Sequence, residues 1–273
     1  MWLAKLLAFL VVAYLAVVAI MFAAQTWLLF PTGLAGMSRP PLPASAERLT
    51  AVAADGSALA GVRIPPRASP EGEPLILLGF GGNAWNAESV ALYLHGLFPS
   101  AEAVAFHYRG YAPSEGRPSA AGIIADAPLV HDAAIDGRTA RVVAVGFSIG
   151  SGAAAALARE RAVAGLILVT PFDSLAALAA DLYPWLPVRP LMRHRMPVAD
   201  LLREVDAPVA VVAAERDAIV PPRRTAALKP AIRNLVHDET VAGAGHNDLY
   251  GMSAFADAMA VALRRIEAVA APD

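Results

Sequence analysis

The chain has 273 residues, a formal net charge of −2 and no cysteine. This leaves no disulfide framework and no electrostatic case for a nucleic-acid partner, while the lack of cysteine fits either side of a membrane. An apolar start and a Pro-rich linker (Pro40-Pro41-Leu42-Pro43) take about 40 residues, which leaves about 230 for one α/β domain with a single sizeable core.

The first predicted element is a membrane helix. Leu6 to Ala24 is an unbroken apolar run of 19 residues, and nothing from Leu6 to Ser38 is charged. At about 1.5 Å per residue the run reaches roughly 28 Å, close to the ~30 Å hydrocarbon core of a bilayer. A cleaved signal peptide has a shorter apolar stretch, and a cut after Ala24 would place Phe22 where a small residue is required. A retained single-pass anchor is therefore expected, with Trp27 and Phe30 at the membrane interface, where amphipathic rings collect. Lys5 precedes the run, whereas Arg39 and Arg48 come well after it, so the positive-inside rule sets the rest of the chain outside the cytoplasm. Residues 1–38 read as anchor and linker, and residues 39–273 as the globular domain.

Leu49 to Ala54 and Ser57 to Ile64 flank Asp55-Gly56, a strong hairpin signal, and predict an antiparallel start to a sheet. Strands near Leu75, Val104, Val142, Leu166, Val209 and Leu235 then alternate with helical stretches. Such alternation calls for right-handed crossovers and a mostly parallel sheet covered on both faces. Between Thr170 and Ala207, Leu175 to Leu182 and Val198 to Leu202 read as short helices around Tyr183-Pro184-Trp185-Leu186-Pro187. Met252 to Val269 is the closing helix.

The chemistry gathers at strand ends. The apolar run from Val142 leads into Gly146-Phe147-Ser148-Ile149-Gly150, and Ser151-Gly152 then opens an Ala-rich helical run to Arg161. Gly-x-Ser-x-Gly between a buried strand and a helix is the pattern of a nucleophile elbow, in which two glycines let the chain turn tightly and raise a serine oxygen above the sheet. Without that context, a serine between glycines is a turn residue. A hydroxyl is a weak nucleophile at neutral pH, so the reading requires a base and an acid further along. Val209 to Ala214 ends in Glu215-Arg216-Asp217, and Leu235 to Val241 leads into Gly243-Ala244-Gly245-His246-Asn247-Asp248. Glu215 and Asp217 are both candidates for the acid, since the same strand precedes them. His95, His107, His131, His194 and His237 have no partner pattern and are expected as surface or packing residues. No spacing such as His-Glu-x-x-His is present, so neither a metal nor a cofactor is expected. Arg109, after the strand Ala103 to His107, is expected to anchor its loop through its fork of donors, with Asp126 on the next helix as partner.

Taken together, these segments resemble the α/β-hydrolase superfamily. Within it they are similar to a membrane-anchored subgroup of bacterial serine hydrolases related to lysophospholipid lipases and protein depalmitoylases. The resemblance rests on Gly82-Asn83-Ala84-Trp85-Asn86 after the strand Leu75 to Phe80, on Tyr108-Arg109-Gly110-Tyr111 through Pro118-Ser119, and on Asp126-Ala127. It rests further on the elbow at Ser148, on Pro171-Phe172-Asp173-Ser174, on Glu215-Arg216-Asp217 with Val220-Pro221-Pro222, and on Gly245-His246-Asn247-Asp248. It implies Ser148 as nucleophile, Asp217 as orienting acid and His246 as general base. It also implies a small cap, about 172–207, after the sixth strand, over a fairly open site. The subgroup has His-Gly-Asn-Ala-Gly-Asn where this chain has Gly81-Gly82-Asn83-Ala84-Trp85-Asn86. An oxyanion hole from the N–H groups of Asn83 and Ile149 fits this loop, but its support must differ. Trp85 either shapes acyl selectivity or caps the following helix.

The expected function is a membrane-anchored serine hydrolase that cleaves a carboxylic ester or thioester with an acyl chain, presented at or near the membrane. A serine peptidase or amidase would use the same triad. A membrane-tethered binding module is the non-enzymatic alternative, against which an intact Ser, Asp and His speak. Haloalkane or epoxide chemistry would need a carboxylate where Ser148 stands. Leu6 to Phe30 carries no catalytic residue, so a chain beginning near Arg39 is expected to be soluble and active on small esters.

Overall fold

Two helices precede the sheet, α1 (Trp2–Leu29) and α2 (Thr32–Met37). The computed structural model describes residues 1–37, 40–68 and 72–270, so the expected boundary at residues 38 and 39, Arg39 included, lies outside the described residues. α1 is long and apolar enough to cross a membrane, and none of its residues is buried. Phe30 departs from expectation. Its ring is only 2% exposed and stands edge-on to His194 at 5.1 Å, inside the domain and not at a membrane interface. The last turn of α1 is already docked on the domain, so the side chain at its exit is withdrawn from lipid and water alike. Trp27, by contrast, is exposed.

β1 (Glu47–Val52) and β2 (Ala58–Ile64) form the expected hairpin, with Thr50 opposite Ala60. Gly56 turns it at φ +86°, and the Asp55 carboxylate accepts from the Ser57 N–H at 3.1 Å. β3 (Leu75–Phe80), α3 (Ala87–Leu97), β4 (Glu102–Phe106), α4 (Ala120–Ile135), β5 (Arg141–Phe147), α5 (Gly150–Glu160) and β6 (Gly165–Val169) follow in alternation. Between β6 and the next strand lie three short helices, α6 (Leu175–Leu182), α7 (Val188–Leu191) and α8 (Val198–Leu202). β7 (Val209–Ala214), α9 (Pro222–Leu228), β8 (Leu235–Val241) and α10 (Ser253–Ala270) complete the chain. The sheet order is β1-β2-β4-β3-β5-β6-β7-β8. β2 pairs antiparallel with both β1 and β4, and every other pairing is parallel.

Successive residues of a strand point to opposite faces, so a sheet covered on both sides needs apolar residues at every position. β5 shows the result. Val142 and Ala144 join one core with α4 and α5, whereas Val143, Val145 and Phe147 join another with α3 and α10. The Ala-rich character of α5 has a packing cause: Ala153 to Ala156 are fully buried, and a Cβ on Gly152 would come within 2.3 Å of the Met196 sulfur. Only small residues let this helix lie so close to both sheet and α8. Side-chain caps set the starts of α3, α4 and α6, where Asn86, Ser119 and Ser174 accept from N–H groups three residues on.

Candidate active site

At the end of β5 the chain turns through Ser148, which sits at φ +52°, and enters α5. A non-glycine residue in this region costs on the order of 1–3 kcal/mol, so the surroundings must impose it. They do so through close backbone packing. A Cβ on Gly146 would meet the Gly150 carbonyl oxygen at 2.7 Å, and one on Gly150 would meet the Phe80 carbonyl oxygen at 2.0 Å. The Ser148 N–H donates to the Val169 carbonyl at 2.8 Å, which pins the turn to β6.

Asp217 follows β7 and is 5% exposed. Its Oδ1 accepts from the N–H groups of Ile219 at 2.9 Å and Val220 at 2.7 Å, and its Oδ2 lies 2.7 Å from Nδ1 of His246. Both carboxylate oxygens are thus committed, and the imidazole is held through Nδ1, which leaves Nε2 as the nitrogen available for proton transfer. Glu215 is elsewhere. Its side chain is half exposed and accepts from the Gly243 N–H at 2.7 Å, a hydrogen bond that ties one loop to the next. Ser148, Ile149, His246, Asn83 and Trp85 all line one cavity of about 440 Å³, and Asp217 stands behind the histidine.

The loop after β3 is held from below by two tyrosines. The Tyr108 hydroxyl donates to the Gly81 carbonyl at 2.7 Å, and that of Tyr111 donates to the Asn83 carbonyl at 2.8 Å. Burial pushes both phenols well above their ordinary value, so both remain protonated donors at neutral pH. Asn86 closes the loop by capping α3, and its amide donates to the Ala35 carbonyl of α2 at 3.1 Å.

No protein-family model matches the chain. The uncharacterized Mycobacterium tuberculosis protein Rv2307c is 36% identical over 198 residues, covering 71% of this chain and 70% of that protein. The Arabidopsis thaliana α/β hydrolase domain-containing protein WAV2 is 33% identical over 148 residues, covering 46% of this chain and 48% of that protein. A Pyrococcus furiosus esterase superposes with a TM-score of 0.67 at 14% identity, over 84% of this chain and 96% of that one. The chain belongs to one family with Rv2307c, and its fold is the α/β-hydrolase fold.

Arg109 has the structural part expected of it. Its Nε and Nη2 donate to the two oxygens of Asp126 at 2.7 and 2.5 Å, and Nη1 donates to Asp55 at 3.0 Å. The Asp126 hydrogen bond above all raises its pKa. A Cβ on Gly122 would fall 2.2 Å from Arg109 Cδ, so that glycine makes room for the fork. Trp85 lines the cavity and also packs against Tyr93, Phe147 and Tyr250, with ring centroids 4.8 to 5.7 Å away. Asn86 and not Trp85 is the N-cap of α3, so the capping reading of Trp85 is corrected: its ring supports the fold through these aromatic contacts. Of the other histidines, His107 is buried beside Glu88 at 2.8 Å, and His194 contacts the Thr26 hydroxyl of α1 at 2.8 Å. Among the described residues no group of three or more His, Cys, Asp or Glu side chains could hold a metal.

Sequence reasoning missed two groups. The first is the pair of tyrosine hydroxyls, since a family motif names the residues but not the carbonyls they reach. The second is a row on α1, including Val18, Met21 and Leu28, which lines the same cavity as Ser148. Gln25 and Thr26, adjacent polar residues at the end of an apolar helix, were the only signal that this segment meets protein as well as lipid.

Proposed function

We propose that the protein is a membrane-anchored serine hydrolase that cleaves a carboxylic ester or thioester through an acyl-enzyme on Ser148. The observation that carries this reading is the 2.7 Å contact between Asp217 and His246, in the wall of the cavity that Ser148 lines from a positive-φ turn. His246 Nε2 takes the Ser148 proton as Oγ bonds to the acyl carbon, and the carbonyl oxygen becomes an oxyanion facing the N–H groups of Asn83 and Ile149. Collapse breaks the bond to the alcohol or thiol, which leaves with the proton from His246. Water then gives a proton to His246 and attacks the acyl carbon, and the acid departs as the proton returns to Ser148. The similar Pyrococcus protein is an esterase, which favours an oxygen or sulfur leaving group. α1 anchors the enzyme, and Lys5 ahead of it with arginines only well beyond it favours a catalytic domain outside the cytoplasm. The test is a panel of p-nitrophenyl esters from butyrate to palmitate with wild type and Ser148→Ala. Turnover is expected to fall on the order of 10⁴-fold or more in the variant with the melting temperature unchanged; wild-type turnover in Ser148→Ala would refute the reading.

A further inference from the structure

The cavity at Ser148 is closed on one side by α1. Val18, Met21 and Leu28 face it across from Leu182 and Leu191 of the segment between β6 and β7. The two sides are joined by side-chain bonds along their length. The Tyr14 hydroxyl donates to the Trp185 carbonyl at 2.9 Å. Gln25 donates to the Leu191 carbonyl at 3.0 Å and accepts from the Arg193 N–H at 2.9 Å. The Arg193 guanidinium donates to the Phe22 carbonyl at 3.1 Å and lies 4.9 Å over the Phe22 ring. A loosely tethered anchor would make no such seam.

The position of the seam along α1 matters. A helix crosses the hydrocarbon core in about 20 residues, so the apolar run that follows Lys5 spans it from Leu6 to about Gln25. The cavity wall starts at Val18, within the last turns of that span, and continues past it. The cavity wall therefore runs from the acyl-chain region of the span out to the headgroup level, and Trp185, bonded to Tyr14, reaches in among the acyl chains. The surroundings of the cavity match this placement: Trp185 is 52% exposed and Ile219 44% exposed, and Tyr183 and Leu182 are exposed beside them. Large apolar side chains left open around a site mark a surface meant for another apolar phase.

We propose that α1 forms one wall of the acyl-chain site, and that the substrate is a long-chain acyl ester or thioester which remains in the bilayer and presents its carbonyl sideways to Ser148. From Val18 to Leu29 the wall runs about 16 Å at ~1.5 Å per residue, the length of an extended chain of about a dozen carbons. The lining supplies hydrocarbon contact to that chain, while the carbonyl meets the polar end of the cavity at Ser148 and His246. This proposal rests on the serine-hydrolase reading.

The test uses the full chain in lipid nanodiscs and a dodecyl fluorophosphonate whose tail ends in a diazirine. Once the probe is bound at Ser148, illumination is expected to link its tail to peptides containing Val18–Leu29. Labelling at Ser148 with links confined to other segments would overturn this proposal alone, whereas a wild-type chain the probe does not label would overturn the serine-hydrolase reading and this proposal with it. Independently, Met21→Trp is expected to lower the ratio of laurate to butyrate kcat/KM about tenfold, equivalent to losing roughly two buried methylenes. Val12→Trp, on α1 but away from the cavity, is expected to leave the ratio as in wild type. An unchanged ratio in Met21→Trp would also overturn the proposal.

Discussion

Tyr111→Phe removes one oxygen and nothing else. The ring is 1% exposed and keeps its packing, while the Asn83 carbonyl loses a donor at 2.8 Å. Leaving a carbonyl short of its partner costs about 1–3 kcal/mol, and for a domain of this size each kcal/mol lowers the melting temperature by roughly 2–4 °C. A fall of about 2–12 °C is expected. The effect on catalysis has a different origin. Removing an oxyanion donor outright costs on the order of 10²–10³ in kcat, so a loop that keeps its N–H but holds it less firmly is expected to lose about tenfold. KM for a short ester is expected to stay near wild type, because the interaction strengthens only as charge develops on the oxygen. Tyr108→Phe, acting on the Gly81 carbonyl of the same loop, is expected to behave alike, and the double variant to lose less than the sum. The assays are kcat and KM on p-nitrophenyl butyrate together with thermal unfolding. A lowered melting temperature with an unchanged kcat would refute the link between these hydroxyls and the oxyanion loop.

Gly150→Ala is expected to abolish cooperative folding, since its methyl would sit 2.0 Å from a main-chain oxygen; a soluble variant that melts at the wild-type temperature would show that the elbow packs differently. Asp217→Asn is expected to cost on the order of 10⁴ in turnover by permitting the wrong tautomer of His246, while Glu215→Gln costs at most a few-fold; the reverse ranking would move the acid to Glu215. Burial, helped by the Arg193 charge, holds His194 below its ordinary value, so this ring stays neutral in the fold at a pH where the unfolded chain takes up a proton. Stability is therefore expected to fall as pH drops from about 6.5 toward the lower folded value, and His194→Gln is expected to flatten that part of the curve of melting temperature against pH. A His194→Gln profile parallel to wild type would remove the residue from the acid response.

Much of the fold was legible in the sequence because it follows from short-range patterns. Charge-free runs of five or six residues are what a doubly covered parallel strand requires, and β3, β5 after Arg141, β6 and β7 all read that way. Asp55-Gly56 marked its own hairpin, and Arg109 with Asp126 followed from the geometry of a guanidinium fork. Ser148, Asp217 and His246 stood out because each follows a strand. The role of α1 was hidden for a physical reason. A helix apolar on every side carries no periodicity to tell which face meets lipid and which meets protein, so Val18 and Met21 looked no different from Val11 and Leu15. Phe30 was misplaced for the same reason, since an aromatic ring after an apolar run suits both an interface and a core. The expectation that a chain beginning near Arg39 is soluble and active on small esters now carries a stability cost, because such a chain would lack Phe30 from its core and one wall of its cavity.

The most direct measurement is the mass of the intact protein, and of its peptides, after reaction with a small fluorophosphonate. One adduct per chain is expected, mapped to the peptide that contains Ser148, absent from Ser148→Ala, and greatly slowed in His246→Ala. An adduct on another residue, or none on a folded wild-type chain, would contradict the assignment of Ser148 as the nucleophile.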